Sequence, residues 1–401
     1  MHLRTLINVL PKLAGAAIAF AALNGEAAAQ TVKIGIVNSN TGFLAQAGDQ
    51  MEKGINLYLK THEKDLPSGV KIELVRRDDA AAPEVGKRMA QELITREHVQ
   101  VLLGFVGSPI AAAVAPLSAE AKIPMVITNA AGVAIPRISP YVARVSFTLW
   151  QQSYPLGKWA AQKGWKKAYT AVSDFIPGHD AEGGFTKAFT DAGGQIVGAV
   201  RFPTTNPDFV PFVQRIKDAK PDVLFIFVPA GGQATTMMKA IKDLKLREAG
   251  INIAATQDLV PDEELPNMGD TPVGLITAGN YSSAAERPAN AAFLAAWKAE
   301  YADKAIPDFL SVGGWDGMTA VYDVIKQTKG KFDGDQMMAI LKGWKNPNSP
   351  RGPIMIDPDT RDIIQNIYIR RTDMKNGRLA NIEIDTIANV KDPWKEFNPP
   401  K

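Results

Sequence analysis

The chain has 401 residues, more than one hydrophobic core comfortably serves, so two domains are expected. Apolar residues make up 46% and charged residues 22%, and the net charge of +3 is spread without a basic block, which argues against nucleic acid as a partner. There is no cysteine, which excludes disulfides, thiolate metal sites, thiol catalysis and a lipid anchor on an N-terminal cysteine.

Residues 1–29 read as an export signal. Arg4 marks a short charged n-region, and a mostly apolar stretch over 6–23 follows, broken by Asn8, Pro11 and Lys12. Ala27-Ala28-Ala29 supplies the small residues that signal peptidase cuts after, so the mature chain is expected to begin at Gln30, in the periplasm. The uninterrupted apolar core, 13–23, falls short of the ~20 residues that a membrane anchor needs.

From residue 31 strands and helices alternate. TVKIGIVNS is strand-like, and Met51, Ile55, Tyr58 and Leu59 recur at helical spacing over 48–62. KIELVRRDDA is a strand ending in Asp78-Asp79, 83–97 is a helix, and VQVLLGFVG is a buried strand. Ser108-Pro109 opens the next helix, with Ser108 as its cap, and KIPMVITNA follows as a strand. The order then restarts: helix 151–163, strand KKAYTAVSD, helix 180–192, strand QIVGAVRFP, helix 209–219 and strand PDVLFIFVPA. Gly231-Gly232 leads into helix 233–244, then strands GINIAATQD and VGLITAGNYS, and helices over 287–301, 312–327 and from 336. This alternation predicts two α/β units, each a parallel sheet covered on both faces. The last segment differs. Asp357-Pro358-Asp359 and Lys375-Asn376-Gly377 are turn signals between strand-like runs, so antiparallel structure is expected there.

Catalytic motifs are missing. The chain has no GxGxxG after a strand, no phosphate-cradling GxxxxGK[ST] and no GxSxG elbow. Of the four histidines, His2 falls in the signal, His62 and His98 lie in polar helix-end contexts, and His179 follows a strand-end loop; none has metal spacing. Asp78-Asp79, without a histidine or metal motif, reads as a solvated strand end. No enzyme, cofactor or metal is expected.

Open α/β sheets bind ligands beyond the carboxyl ends of their strands, where helix N-termini favour anions. The first unit presents 38–43, 104–109 and 128–132; the second presents 173–180, 228–233 and 256–260. Ser108 caps its own helix, binds a ligand carboxylate, or does both. Ala130, Ala131 and Gly132 offer backbone groups. Asp258 accepts from a ligand hydroxyl or ammonium, or is a cap or surface acid. Phe43, Phe105, Trp150, Phe175 and Tyr281 lie at or near these ends, as core residues or as a wall for a flat ligand.

These residues carry a resemblance. The opening KIGIVNSNTGFLAQAGDQMEKGINLYL, VQVLLGFVGSPIAAAVAPLSAEAKIPMV and SDFIPGHDAEGGFTKAFTDAGGQIV, with PDFVPFVQRIKDAKPDVLFIFVPAGG, VGGWDGMTAVYDVI and SPRGPIMIDPDTRDIIQNIYIRR, resemble the type I periplasmic binding proteins of branched-chain amino-acid transporters. The resemblance spans essentially the whole mature chain. It implies two Rossmann-like lobes with a cleft between them and three hinge crossovers, lobe 1 being 31–149 plus 280–352 and lobe 2 being 150–279 plus 353–398. It implies that Ser108 and the backbone of Ala130, Ala131 and Gly132 hold a carboxylate. The loop carrying Phe175 and Pro177, the Ala230-Gly231 loop and Asp258 then close from the second lobe. The implied partners are a small carboxylate and the permease of an ABC importer, met by a monomer. Pro177 stands where amino-acid binders often have tyrosine, and Gly132 where many have threonine. Both departures weaken an amino-acid site. SDFIPGHD with NPDFVPFVQRIKDAKPD looks like the subgroup that takes hydroxybenzoates and phenylpropenoids. A branched-chain amino acid or amide is the alternative, and a ligand sensor of the same fold a further one.

Overall fold

The computed structural model describes residues 30–399, and the export signal expected over 1–29 lies outside the described residues. The first sheet is built by β1 (Gln30–Asn38), α1 (Ala45–His62), β2 (Val70–Asp78), α2 (Pro83–Thr95), β3 (Val101–Gly104), α3 (Ser108–Ala121), β4 (Met125–Ile127), α4 (Ile135–Ile138) and β5 (Val142–Arg144). All of its strands run parallel, in the order β2-β1-β3-β4-β5. Parallel neighbours need long crossovers, and the helices that supply them cover both faces of the sheet. Every residue of the VLLG strand β3 is accordingly buried.

The chain then crosses to a second sheet through α5 (Leu149–Gln162), β6 (Lys167–Ser173), α6 (Ile176–Asp191), β7 (Gln195–Phe202), α7 (Val210–Ala219), β8 (Val223–Phe227), α8 (Gly232–Asp243), β9 (Asn252–Thr256) and β10 (Ile276–Gly279). It returns to the first unit as α9 (Pro288–Tyr301), α10 (Phe309–Thr328) and α11 (Gly334–Leu341). It crosses a third time to β11 (Lys345–Asn346), β12 (Ile354–Ile356), β13 (Ile363–Lys375), β14 (Arg378–Val390) and α12 (Pro393–Phe397). The second sheet runs β11-β12-β13-β10-β9-β8-β6-β7, with β14 on β13. Its β6 to β10 strands are mutually parallel, and the C-terminal strands are antiparallel. The β13–β14 turn uses Asn376 and Gly377 at φ 53° and 78°, which suits an Asn-Gly hairpin.

The return helix α10 lies directly against α1. A Cβ on Gly54 would stand 1.9 Å from the Ser311 carbonyl oxygen, and one on Gly314 would stand 2.4 Å from that of Met51. Glycine is required at both places for the two backbones to meet.

Several helices begin earlier than their apolar spacing indicates, among them α1 at Ala45, α10 at Phe309, α5 and α6. α5 starts at Leu149 because Thr148 and Gln151 form a capping box. α6 starts at Ile176 with Pro177 in its first turn, so most of the loop expected over 173–180 is helix. The short β5 and β11 carry too few residues to show a period. Asp79 is fully buried rather than solvated, and it accepts from Ser39 Oγ at 2.6 Å.

Arg351 pins the crossovers together. Its Nε lies 2.9 Å from Asp316 Oδ2 of α10, and both side chains are buried. Its Nη1 donates to the Ser146 carbonyl in the first crossover at 2.7 Å and to Gln365 Oε1 of β13 at 2.9 Å. Burial pushes the Asp316 carboxyl up to about 6 although Arg351 opposes this. Replacing Arg351 by methionine strands that carboxylate, so Arg351→Met is expected to lower stability in guanidinium unfolding by ~3–5 kcal/mol. Arg351→Met/Asp316→Leu should recover most of the loss.

Candidate solute-binding site

The carboxyl ends of the two parallel sheets face each other, and a narrow cavity lies between them. Its volume is about 30 Å³. The first unit contributes Leu44, Ala47, Val106, Gly107, Ser108 and Asn129. Phe175, Pro177, Phe227, Ala230 and Asp258 come from the second, and Phe147 from the first crossover.

Ser108 is the first residue of α3, and Gly107 takes the cap position without a side-chain cap. Ser108 therefore does not cap its own helix. Its Oγ accepts instead from the Gly132 N–H at 3.0 Å, which leaves the hydroxyl proton free to donate. The amides of the first turn of α3 add a positive potential there. Asn129 donates to the Val106 carbonyl at 2.9 Å while its Oδ1 is buried without a partner.

On the opposite lobe, Asp258 is 8% exposed and accepts from Thr256 Oγ1 at 3.0 Å. Burial pushes its carboxyl up to about 7, with the Thr256 hydrogen bond and the more distant Arg370 pulling the other way. It is neither a helix cap nor a surface acid. Phe147, Phe175 and Phe227 line the cavity among aliphatic side chains such as Leu44, Val106, Leu149 and Leu310. Phe175 packs on Phe227 with centroids 6.0 Å apart, and Phe147 meets Phe309 edge-on at 5.7 Å.

Of the residues nominated from sequence, Ser108, Ala131, Phe175, Pro177, Ala230 and Asp258 meet in this cavity. Phe43 stands beside it, edge-on to Phe175 at 6.3 Å. Gly132 touches it through Ser108. Ala130 is fully buried and spends its N–H on the Phe105 carbonyl at 2.8 Å. Three aromatics point elsewhere. Phe105, at φ 68°, turns into the core of the first unit. Tyr281 is fully buried and donates to Asn290 Oδ1 at 2.9 Å. Trp150 stacks on Tyr154 at 6.0 Å, over Gly184, on the far side of α5. Gly231 faces Gln46 rather than the cavity. His179 is on the surface, paired with Asp174 at 2.7 Å.

Residues that sequence reasoning passed over include Asn129, Phe147, Phe227 and Leu310. Phe147 and Phe227 follow or end strands, a signal that was available, but both sit in apolar runs that read as core.

The lobes also touch beside the cavity, where Asp180 Oδ2 of α6 accepts from the Val133 N–H at 3.0 Å. Burial pushes the Asp180 carboxyl up to about 6. Among the described residues no cluster of His, Cys, Asp or Glu could hold a metal, and no helix is long and apolar enough to cross a membrane. The cavity pairs no base with Ser108; it is arranged to hold a molecule.

Comparison with known proteins assigns the class. Residues 31–378 match the model of the periplasmic binding protein family, and the chain belongs to that family. It is a solute-binding protein and not an enzyme. It is similar to the Leu/Ile/Val-binding protein homolog 6 of Brucella melitensis, 40% identical over 387 residues that cover 96% of this chain and 99% of that one. Among solved structures it resembles a solute-binding protein of an ABC transporter from Rhodopseudomonas palustris BisB5 in complex with 3,4-dihydroxybenzoic acid. That likeness has a TM-score of 0.88 and 46% identity and covers 91% of this chain and 99% of the other. A second R. palustris solute-binding protein, in complex with 4-hydroxybenzoate, matches with TM-score 0.86 and 41% identity over 90% and 98% of the two chains.

Gly132 lies where the two lobes approach closely. A Cβ there would stand 3.0 Å from Ile176 Cγ2 of the other lobe and 3.2 Å from Ser108 Cβ. Gly132→Thr is expected to hold the lobes apart and weaken solute binding about tenfold or more, read by titration calorimetry.

Proposed function

We propose that this protein is the receptor of an ABC importer, exported to the periplasm by residues 1–29, and that it captures an aromatic carboxylate of the hydroxybenzoate or phenylpropenoid type. The observation that carries this reading is a cavity lined by Phe147, Phe175 and Phe227 together with the Ser108 hydroxyl at the start of α3 and the buried Asp258 carboxyl, which burial raises to about 7. The two R. palustris relatives hold hydroxybenzoates, which supports it.

The Ser108 hydroxyl and the first-turn amides of α3 take the ligand carboxylate, and Gly132, with the backbone of Ala131, shapes that end. Phe147, Phe175 and Phe227 pack on the ring, edge or face. Pro177 and Ala230 close over it, and Asp258 hydrogen-bonds the ring hydroxyl. Lobe 1 (31–149 plus 280–352) and lobe 2 (150–279 plus 353–398) close as bodies about the three crossovers. Ligand binding favours closure only by as much as it prefers the closed state. The closed receptor, a monomer, then docks on the permease subunits.

A thermal-shift screen of the chain from Gln30 onward tests the class. An acid at 100 times its dissociation constant should stabilise by about 2.7 kcal/mol. 4-Hydroxybenzoate or a cinnamate-type acid is expected to shift the melting point, and leucine or valine is not. Ser108→Ala should weaken the binding roughly tenfold in calorimetry.

The pH dependence separates the two ligand classes by sign. Because the Asp258 carboxyl is raised to about 7, the stability that its neutral form confers is complete below its ordinary value of 3.8 and is lost as pH rises through about 7. Ionised Asp258 adds negative charge to the closed cavity. An aromatic carboxylate is therefore expected to bind more weakly at pH 8 than at pH 6, and Asp258→Asn should flatten the difference. An amino acid whose ammonium faces Asp258 would show the opposite slope, and that result would reverse the ligand assignment.

A further inference from the structure

We infer that Gln46, the Gly231-Gly232 turn and Glu264 form a latch outside the cavity that holds the lobes closed and sets the rate of solute release; this rests on the lobe-closure reading above. Leu44 and Ala47, on the same turn of chain, line the cavity. Gln46 between them is turned outward, and its whole amide is engaged by the opposite lobe. Its Nε2 donates to Glu264 Oε1 at 3.0 Å, and its Oε1 accepts from the Gly232 N–H at 2.6 Å.

The receiving side is held by bonds within its own lobe. Glu264 is 5% exposed, and its other oxygen accepts from Thr235 Oγ1 at 2.8 Å and from Asn267 Nδ2 at 3.2 Å, both in its own lobe. Gly232 opens α8, so its N–H carries the positive end of a helix. Gly231 has φ 102°, and a Cβ there would stand 2.6 Å from Gln46 Oε1. Gly231 is thus accounted for by its left-handed backbone and the approach of Gln46, while Gly232 contributes its N–H. A glutamine fits this seat because it donates to a carboxylate and accepts from an amide at once. Glutamate would lose the donor and repel Glu264.

Three receptors serve the test: the wild type, Gln46→Ala and Gln46→Glu. Each carries Lys87→Cys and Arg215→Cys for a fluorophore pair, one on each lobe; both positions are exposed and the chain has no other cysteine. Release of 4-hydroxybenzoate and of 3,4-dihydroxybenzoate is followed by stopped flow, and lobe separation by energy transfer. Gln46→Ala is expected to release both acids about tenfold faster, by the same factor, with a smaller closed population and an unchanged unfolding midpoint. Gln46→Glu should release them faster still. In a double-mutant cycle, Glu264→Ala should have little further effect once Gln46 is alanine. Release within about twofold of wild type overturns the latch, and so does a factor that differs between the two acids, since that means contact with the solute. If the wild type binds neither acid, the aromatic-acid reading fails instead. The latch is then judged on the solute-free receptor, where an energy-transfer distribution identical in wild type and Gln46→Ala overturns it.

Discussion

The crossover helices of a parallel sheet cover its faces but not its carboxyl edge. At that edge the strands stop, the helices begin, and the first-turn amides of each helix have no partner within the helix. The two sheets of this protein turn those edges toward each other, and most of what is specific to the molecule follows. The start of α3 lies uncapped at the cavity, Ser108 holds the Gly132 amide there, and α6 and α8 present their own starts from the other side. One lobe completes what the other leaves open. Three crossings tie the lobes, and Arg351 links two of them to α10 and β13.

Opposed edges also impose a charge problem. Asp180 and Asp258 lose water where the lobes meet, and both carboxyls rise. Neither faces a close cation in the cavity. Asp180 answers with the Val133 amide and Asp258 with the Thr256 hydroxyl, both modest partners. The acid opposite Ser108 is Asp258, and it meets an ammonium only by ionising against the burial that raises it. The site suits a ligand with one anionic end, a flat apolar middle and a neutral polar tip.

Much of this was legible in the residue order. The two α/β units follow from alternating apolar runs, and the antiparallel close follows from the turns at Asp357-Pro358-Asp359 and Asn376-Gly377. Ser108, Phe175 and Asp258 were found because strand-end loops must face the cleft, and Pro177 and Ala230 because the family resemblance marks their loops. Position along the chain does not give side-chain direction, so the choice between core and wall stayed open for the five aromatics, and the structure turns Phe105, Trp150 and Tyr281 away from the cavity. Leu149 faces the cavity while its neighbour Trp150, about 100° further round the helix, faces away. Phe105 stands at a strand end but adopts a left-handed backbone that turns it inward. Phe147 and Phe227 were passed over, since an apolar residue in an apolar run carries no mark of which side is a cavity. Gly231-Gly232 was visible as a pair, yet the approach it permits comes from Gln46, far away in sequence.

The contact between α1 and α10 bears on how the protein comes into being. Gly54 meets Ser311 and Gly314 meets Met51 across about two-thirds of the polypeptide, so the first unit lacks α10 until most of the chain has been made. Contacts of such long range slow folding, because the loop they close must lose its entropy before the packing rewards it. A nascent chain emerging N-terminus first therefore holds an incomplete nucleus for much of its synthesis. Completion of the first unit is thus set by residues late in the chain rather than by its own N-terminal half.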